Sequence, residues 1–210
     1  NAGQMLAQTE LIFGMLCAAE TNERMQALQE QVMPLLSAHR DKIRLDEKLF
    51  ARVKDVYDRR ASLGLDAEQS RLLRKTYDAF VRSGALLDAG QKARLKEING
   101  ELSLTAVKFG NNILAENNNF ALELTADDLD KGDKWVFTLH KPSLIPFLTY
   151  SAKRDLREKI YKAYLNRCNN GDQYDNKQLI NDFIRLRTEK AKMLGYPSYA
   201  AYVVADEMAG

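Results

Sequence analysis

Two histidines, two cysteines and one short acidic run are the residues in this 210-residue chain that could support metal or nucleophilic chemistry. A metal-activated water needs ligands at a set spacing. In HExxH the two imidazoles at i and i+4 share one helix face, with a carboxylate placed beside them to take a proton. His39 and His140 belong to no HExxH, HxH or HxxxH pattern. His39, in Ser37-Ala38-His39-Arg40, reads as a helix C-terminal residue, where an imidazolium meets the negative end of the dipole. Cys17, in the apolar run Phe13-Gly14-Met15-Leu16-Cys17-Ala18, reads as a buried, inert thiol. Cys168 follows Arg167, whose charge is expected to lower its pKa slightly, but no general base adjoins it in sequence. Neither cysteine sits in a CxxC pair, and both are expected to be free. The GxSxG elbow and Gly-rich phosphate loops are absent. Asp127-Asp128-Leu129-Asp130 lacks the full D-x-[DN]-x-[DN]-G calcium pattern and reads as a solvated connection. On its own residues the chain has no catalytic set and no metal ligands, and its substrate-binding residues are unknown at this level.

Charge and composition narrow the partners. Lys and Arg total 31 against 29 Asp and Glu, a net charge of +2 that gives no general attraction for nucleic acid or anionic membrane. Lys159-Ile160-Tyr161-Lys162-Ala163-Tyr164 places aromatics beside bases, but with so little net charge it reads as an amphipathic core helix. No apolar run approaches the roughly 18 residues of a membrane span. The opening Asn1-Ala2-Gly3-Gln4-Met5 lacks the basic-then-apolar order of a signal peptide, and Asn1-Ala2 reads as a cloning remnant.

The elements that must position any site are mostly helices. Met25, Leu28, Val32, Leu35 and Leu36 recur at offsets of three and four behind a cap at Thr21 or Asn22, with a kink or break expected at 31–33 ahead of Pro34. Leu49, Phe50, Val53, Val56 and Tyr57 follow an Asp46 cap. Leu72, Leu73, Tyr77, Phe80 and Val81 run from Asp66 to a stop at Ser83-Gly84. The longest stripe, Leu95, Ile98, Leu102, Ala106, Phe109 and Ile113, predicts a helix from about 89 to 116, with Gly100 and Gly110 suggesting close packing against a neighbour. Asn117-Asn118-Asn119 is expected to end it. Strand character is confined to 120–124 and 135–139, which should pair as a small antiparallel ribbon, with Lys131-Gly132-Asp133-Lys134 turning the chain between them. Helix returns with Leu156, Ile160 and Tyr164, then with Leu179, Phe183, Leu186 and Met193, separated by the polar turn Asn169-Asn170-Gly171-Asp172. Pro197 is placed near the first position of a final helix carrying Tyr199, Tyr202, Val203 and Met208.

Taken in order, these segments resemble the thimet oligopeptidase family, and within it the bacterial peptidyl-dipeptidase branch of zinc metallopeptidases. The resemblance runs through Ala18-Ala19-Glu20-Thr21-Asn22 and Pro34-Leu35-Leu36-Ser37-Ala38-His39-Arg40-Asp41. It is strongest in Phe80-Val81-Arg82-Ser83-Gly84-Ala85 and Ala93-Arg94-Leu95-Lys96-Glu97-Ile98-Asn99, and it continues through Trp135-Val136-Phe137-Thr138-Leu139 to Arg187-Thr188-Glu189-Lys190-Ala191 and Leu194-Gly195-Tyr196. Two departures accompany it. The family carries a longer helical insertion between the two strand segments, where only 125–134 lie here. Its N-terminal approach segment and its HExxH helix with a downstream Glu ligand would fall before Gly3 and beyond Gly210.

The resemblance implies a mainly α fold. Residues 1–210 would form a single antiparallel helical lobe of a larger, channelled peptidase, truncated at both ends. It implies a parent that holds zinc, releases dipeptides from short peptides and selects them by the width of its channel, while this piece alone binds no zinc and is inactive. The implied partners are short peptides and the remaining catalytic region of the same polypeptide. Weak self-association is expected through Tyr199, Tyr202, Val203 and Met208. The expected compartment is cytoplasmic or periplasmic, the cytoplasm being preferred. The rival reading is a non-catalytic α-helical interaction module.

Overall fold

Short polar side chains set where the helices begin. Asn22 Oδ1 accepts the Met25 amide at 3.0 Å, Asp46 Oδ1 that of Leu49 at 2.6 Å, and Ser198 Oγ that of Ala201 at 3.1 Å. Asp66 and Gln69 form a reciprocal capping box at 2.8 and 3.2 Å, and Asp88 and Gln91 repeat it with the same distances. A computed structural model describes residues 3–124 and 135–208. In chain order they form α1 (Gln4–Ala19), α2 (Glu23–Arg44), α3 (Glu47–Asp58), a 3-10 turn (Arg60–Ser62), α4 (Ala67–Arg82) and α5 (Ala89–Asn119). Strands β1 (Leu122–Leu124) and β2 (Trp135–Phe137) follow, then α6 (Lys141–Tyr150), α7 (Arg154–Leu165), α8 (Lys177–Met193) and α9 (Tyr199–Val204). The fold is mainly α, as the periodicity requires. Among the described residues no helix is long and apolar enough to cross a membrane.

Several boundaries differ from those expected. Helix α2 runs through Pro34 without a break. A mid-helix proline costs about 3 kcal/mol. The half-buried stripe of Met25, Val32 and Leu36 keeps to one face on both sides of it, so packing carries the helix across. His39 is therefore not in the last turn; Lys42 and Arg44 are, and His39 is exposed. Pro197 precedes the Ser198 cap rather than occupying the first turn of α9. A Cβ added at Gly100 or Gly110 would meet nothing within 4 Å, so neither glycine marks a close approach. The acidic run and the turn at 131–134 lie outside the described residues.

The chain divides into two compact units, one made of residues 1–107 and 182–210, the other of 108–181. In the first unit, α3 and α4 pack as a hairpin around Phe50, Phe80 and Ala85, with Tyr57 stacked on Tyr77 at 3.9 Å. Leu95 and Ile98 of α5 and Ala191 of α8 are fully buried. Both α4 and α8 end in Schellman turns. Ala85 N–H donates to Phe80 C=O (3.0 Å) around Gly84 (φ 97°), and Tyr196 N–H donates to Ala191 C=O (2.9 Å) around Gly195 (φ 83°). Helix α1 is apolar in sequence yet contains no buried residue. Met5, Leu11, Ile12 and Met15 are exposed, and Cys17 is half-buried rather than enclosed.

The second unit has its own core of Leu122, Leu124, Leu139, Leu144, Phe147 and Ile160. The expected ribbon forms as an antiparallel β1–β2 pair in register Leu122↔Phe137, Glu123↔Val136 and Leu124↔Trp135. Period two puts Leu122 and Leu124 inside and Glu123 out. Helix α5 extends through the Asn triplet because each side chain finds a partner. Asn117 accepts from Arg167 (3.1 Å), Asn118 pairs with His140 (3.2 Å) and Asn119 donates to the Tyr174 hydroxyl (3.1 Å). Tertiary contacts here override a poor helix propensity.

Candidate functional site

A buried polar arrangement in the first unit begins at Asp41, near the end of α2 and only 9% exposed. Its Oδ1 accepts from Asn99 Nδ2 of α5 at 2.8 Å, and Asn99 Oδ1 in turn accepts from Lys190 Nζ of α8 at 2.7 Å. The amide thus relays between a carboxylate and an ammonium, each side of it satisfying one partner. Asp41 Oδ2 is buried without a hydrogen bond. Burial raises the Asp41 pKa, opposed by the Asn99 bond and the charges of Lys190 and Lys96. Burial lowers that of Lys190, opposed by Asp41. Both groups move toward their neutral forms because desolvation outweighs their mutual attraction.

An aromatic–guanidinium layer adjoins this chain of bonds. Arg82 donates to the Tyr202 carbonyl (2.7 Å) and to the Tyr196 hydroxyl (3.2 Å), and it lies 4.7 Å over the Tyr202 ring. Arg187 of α8 lies 4.7 Å from the centroid of Phe183 and 5.1 Å from that of Tyr199. Arg44 lies 5.2 Å over Phe80. A fork from Arg94 to Glu189, at 2.7 and 3.0 Å, fixes α8 to α5 within this unit. Together α2, α5, α8 and α9 border an open groove of about 770 Å3 that Asp41, Arg44, Asn99, Arg187, Lys190 and Tyr202 line. Such a mixed aromatic and cationic wall suits binding and orientation of a polar, extended ligand. It offers no nucleophile–base pair.

The residues singled out by sequence do not gather here. His39 is exposed on α2 in the first unit, and His140 precedes α6 in the second. Among the described residues no three His, Cys, Asp or Glu side chains are placed to hold a metal ion. Cys168 is free and 5% exposed, with positive φ (56°). Its thiol pKa is pushed up to about 12 by burial and then by Glu116. The expected lowering by Arg167 is present but is the smaller effect, because Glu116 accepts from both the Cys168 amide and the Asn170 side chain and so holds a carboxylate against the sulfur. Of the groove residues, sequence singled out only Tyr199 and Tyr202 as a contact surface, and those for self-association rather than for ligand binding. The one local signal was Phe183, Arg187 and Lys190 at offsets of four and three on α8, which places them on one face.

Comparison with known proteins covers the chain from end to end. A sequence model of peptidase family M3 matches residues 147–210. The dipeptidyl carboxypeptidase of Escherichia coli K12 is 34% identical over 228 positions, taking in all of this chain and 34% of that protein. A probable cytosolic oligopeptidase A of Arabidopsis thaliana is 27% identical across 98% of this chain and 33% of its own length. Oligopeptidase A of Escherichia coli is 25% identical across the whole chain and 35% of its own length. The chain thus spans about a third of the length of the curated relatives it matches. Residues 147–210 match peptidase family M3, and the chain as a whole is similar to about a third of proteins named dipeptidyl carboxypeptidase and oligopeptidase A.

Proposed function

We propose that this chain forms a substrate-channel lobe of a zinc-dependent metallopeptidase that hydrolyses short peptides, with the HExxH-bearing catalytic region in a part of the polypeptide outside this sequence. The observation that carries the reading is the end-to-end match to a third of proteins named dipeptidyl carboxypeptidase and oligopeptidase A. Zinc in such an enzyme would supply a polarised carbonyl and an activated water. The described residues do not fit that ion, since no three His, Cys, Asp or Glu side chains among them are grouped to hold it. No step of hydrolysis is therefore assigned to this chain. Its part is to bind and orient, through the groove of the first unit, and to narrow access so that extended peptides enter and folded proteins do not. The exposed Val203 and Met208 near the end of the chain, together with the apolar α1, would meet the catalytic region, or in its absence support weak self-association.

The reading frame after Gly210 tests this directly. An HExxH sequence followed by a Glu two or more helical turns later, with chelator-sensitive release of dipeptides by the encoded protein, is the expected result. A stop codon directly after Gly210 would overturn it and favour a non-catalytic helical interaction module.

A further inference from the structure

Arg187 is unusually well held for a side chain with nothing to bind. Rings flank its guanidinium at 4.7 and 5.1 Å, yet its N–H groups donate to no acceptor among the described residues. Arg44, on the same groove, is likewise stacked on Phe80 and likewise without an acceptor. Lys190 adds a third cation, hydrogen-bonded to the Asn99 amide and attracted by the Asp41 carboxylate beyond it. The opposing charge is small. Arg40 is already paired with Glu10, and Asp41 has one oxygen on Asn99 and the other sealed from solvent. Stacking uses the faces of a guanidinium and leaves its edge free, and that edge matches the two oxygens of a carboxylate.

We propose that this groove is a carboxylate-recognition subsite for acidic short peptides, with Arg187 as the anchoring donor and Arg44 and Lys190 as supporting charges. The inference rests on the channel-lobe reading for its choice of a peptide as ligand. Backbone groups of an extended peptide would meet the hydroxyl of Tyr199, while an Asp or Glu side chain, or a terminal carboxylate, would meet Arg187.

Calorimetric titration of this chain with three hexapeptides tests it. One carries three glutamates with both ends blocked, one has glutamines in their place with both ends blocked, and one has glutamines with a free C-terminal carboxylate. The blocked glutamate peptide should bind at least tenfold tighter than the blocked glutamine peptide, and less tightly as salt rises. Tight binding of the free-ended glutamine peptide would assign the carboxylate to the chain terminus, still at this site. Arg187→Gln should lose at least tenfold in affinity for the glutamate peptide. Arg187→Lys, which keeps the charge but not the planar fork, should lose a smaller factor. An unchanged thermal melt for both variants separates loss of the site from loss of the fold. Equal affinity for both blocked peptides, no binding of any peptide, or full affinity in Arg187→Gln with its melt intact would each overturn the proposal. The peptidase reading fails separately, on the reading frame.

Discussion

Alanine at Gly84 should destabilise the first unit by two separable mechanisms. Gly84 sits in the left-handed region (φ 97°) as the turn residue that ends α4. Alanine there costs about 1–2 kcal/mol in backbone conformation. A Cβ would also lie 2.6 Å from Leu95 Cδ2 and 3.0 Å from Leu87 Cδ1, well inside carbon contact distance. Leu95 is 0% exposed and cannot swing away, so the overlap adds an overpacking penalty of about 1–3 kcal/mol. The lost entropy of the unfolded glycine returns about 0.4–1 kcal/mol. The net expectation is about 2–4 kcal/mol, which moves a urea midpoint followed by far-ultraviolet circular dichroism downward by about 1–2 M. Gly195→Ala is the control, since it has the same sign of φ (83°) but nothing within 4 Å of a new Cβ. It should cost only about 1 kcal/mol. In a Gly84→Ala/Leu95→Ala cycle the steric part should vanish, giving a coupling of about 1–3 kcal/mol. If Gly84→Ala costs no more than Gly195→Ala, or if the cycle shows no coupling, the close approach of Leu95 to this turn is refuted.

Three further expectations follow from named contacts. The Asp41 pKa is raised in the folded chain, so its stability contribution is full below the unfolded carboxyl value and is lost as pH rises through the folded one. Asp41→Asn should therefore gain thermal stability relative to the parent between pH 4 and pH 7, and a pH-independent difference would contradict the burial of that charge. At pH 8 a thiol pushed up to about 12 is ionised roughly a thousandfold less than one near 9. Burial also raises the half-buried Cys17 thiol, so Cys17 should be alkylated ahead of Cys168, which should react only in denaturant, while Glu116→Gln should shift the Cys168 pH–rate profile toward lower pH. Ile160→Ala should cost about 2–5 kcal/mol in the second unit, read by the emission of Trp135 on β2, because Ile160 is fully buried among leucines and Phe147.

What sequence could and could not show divides along the range of the interactions. Caps at Asn22, Asp46 and Asp66 and the stop at Gly84 were legible because a cap and its partner amide lie within three residues. The β1–β2 pair was legible from alternation. Pro34 and the Asn117–Asn119 triplet misled, because both are local helix breakers whose cost is met by packing and side-chain partners from elsewhere in the chain. Cys168 misled in the same way: Arg167 is its neighbour in sequence, but Glu116, 52 residues earlier, holds its amide. The groove was invisible for this reason too. Asp41 and Asn99 are separated by 58 positions, and Asn99 and Lys190 by 91, so no window of sequence contains the relay.

The division of the chain at 107/108 and 181/182 has a consequence for the order of assembly. The second unit is encoded as one uninterrupted stretch, whereas the first is written in two pieces on either side of it. On a ribosome elongating at about 5–20 residues per second, residues 108–181 can emerge and collapse on their own contacts while the earlier piece still waits for its closing helix. Arg94 meets Glu189 only after 95 further residues have been made, and the groove cannot exist before then. The α3–α4 hairpin is the local exception and can form early. A nascent chain stalled so that residues up to 181 have left the ribosome while 182 onward remain inside it should therefore protect the 108–181 core from protease while Leu95 and Ile98 stay open to chaperones.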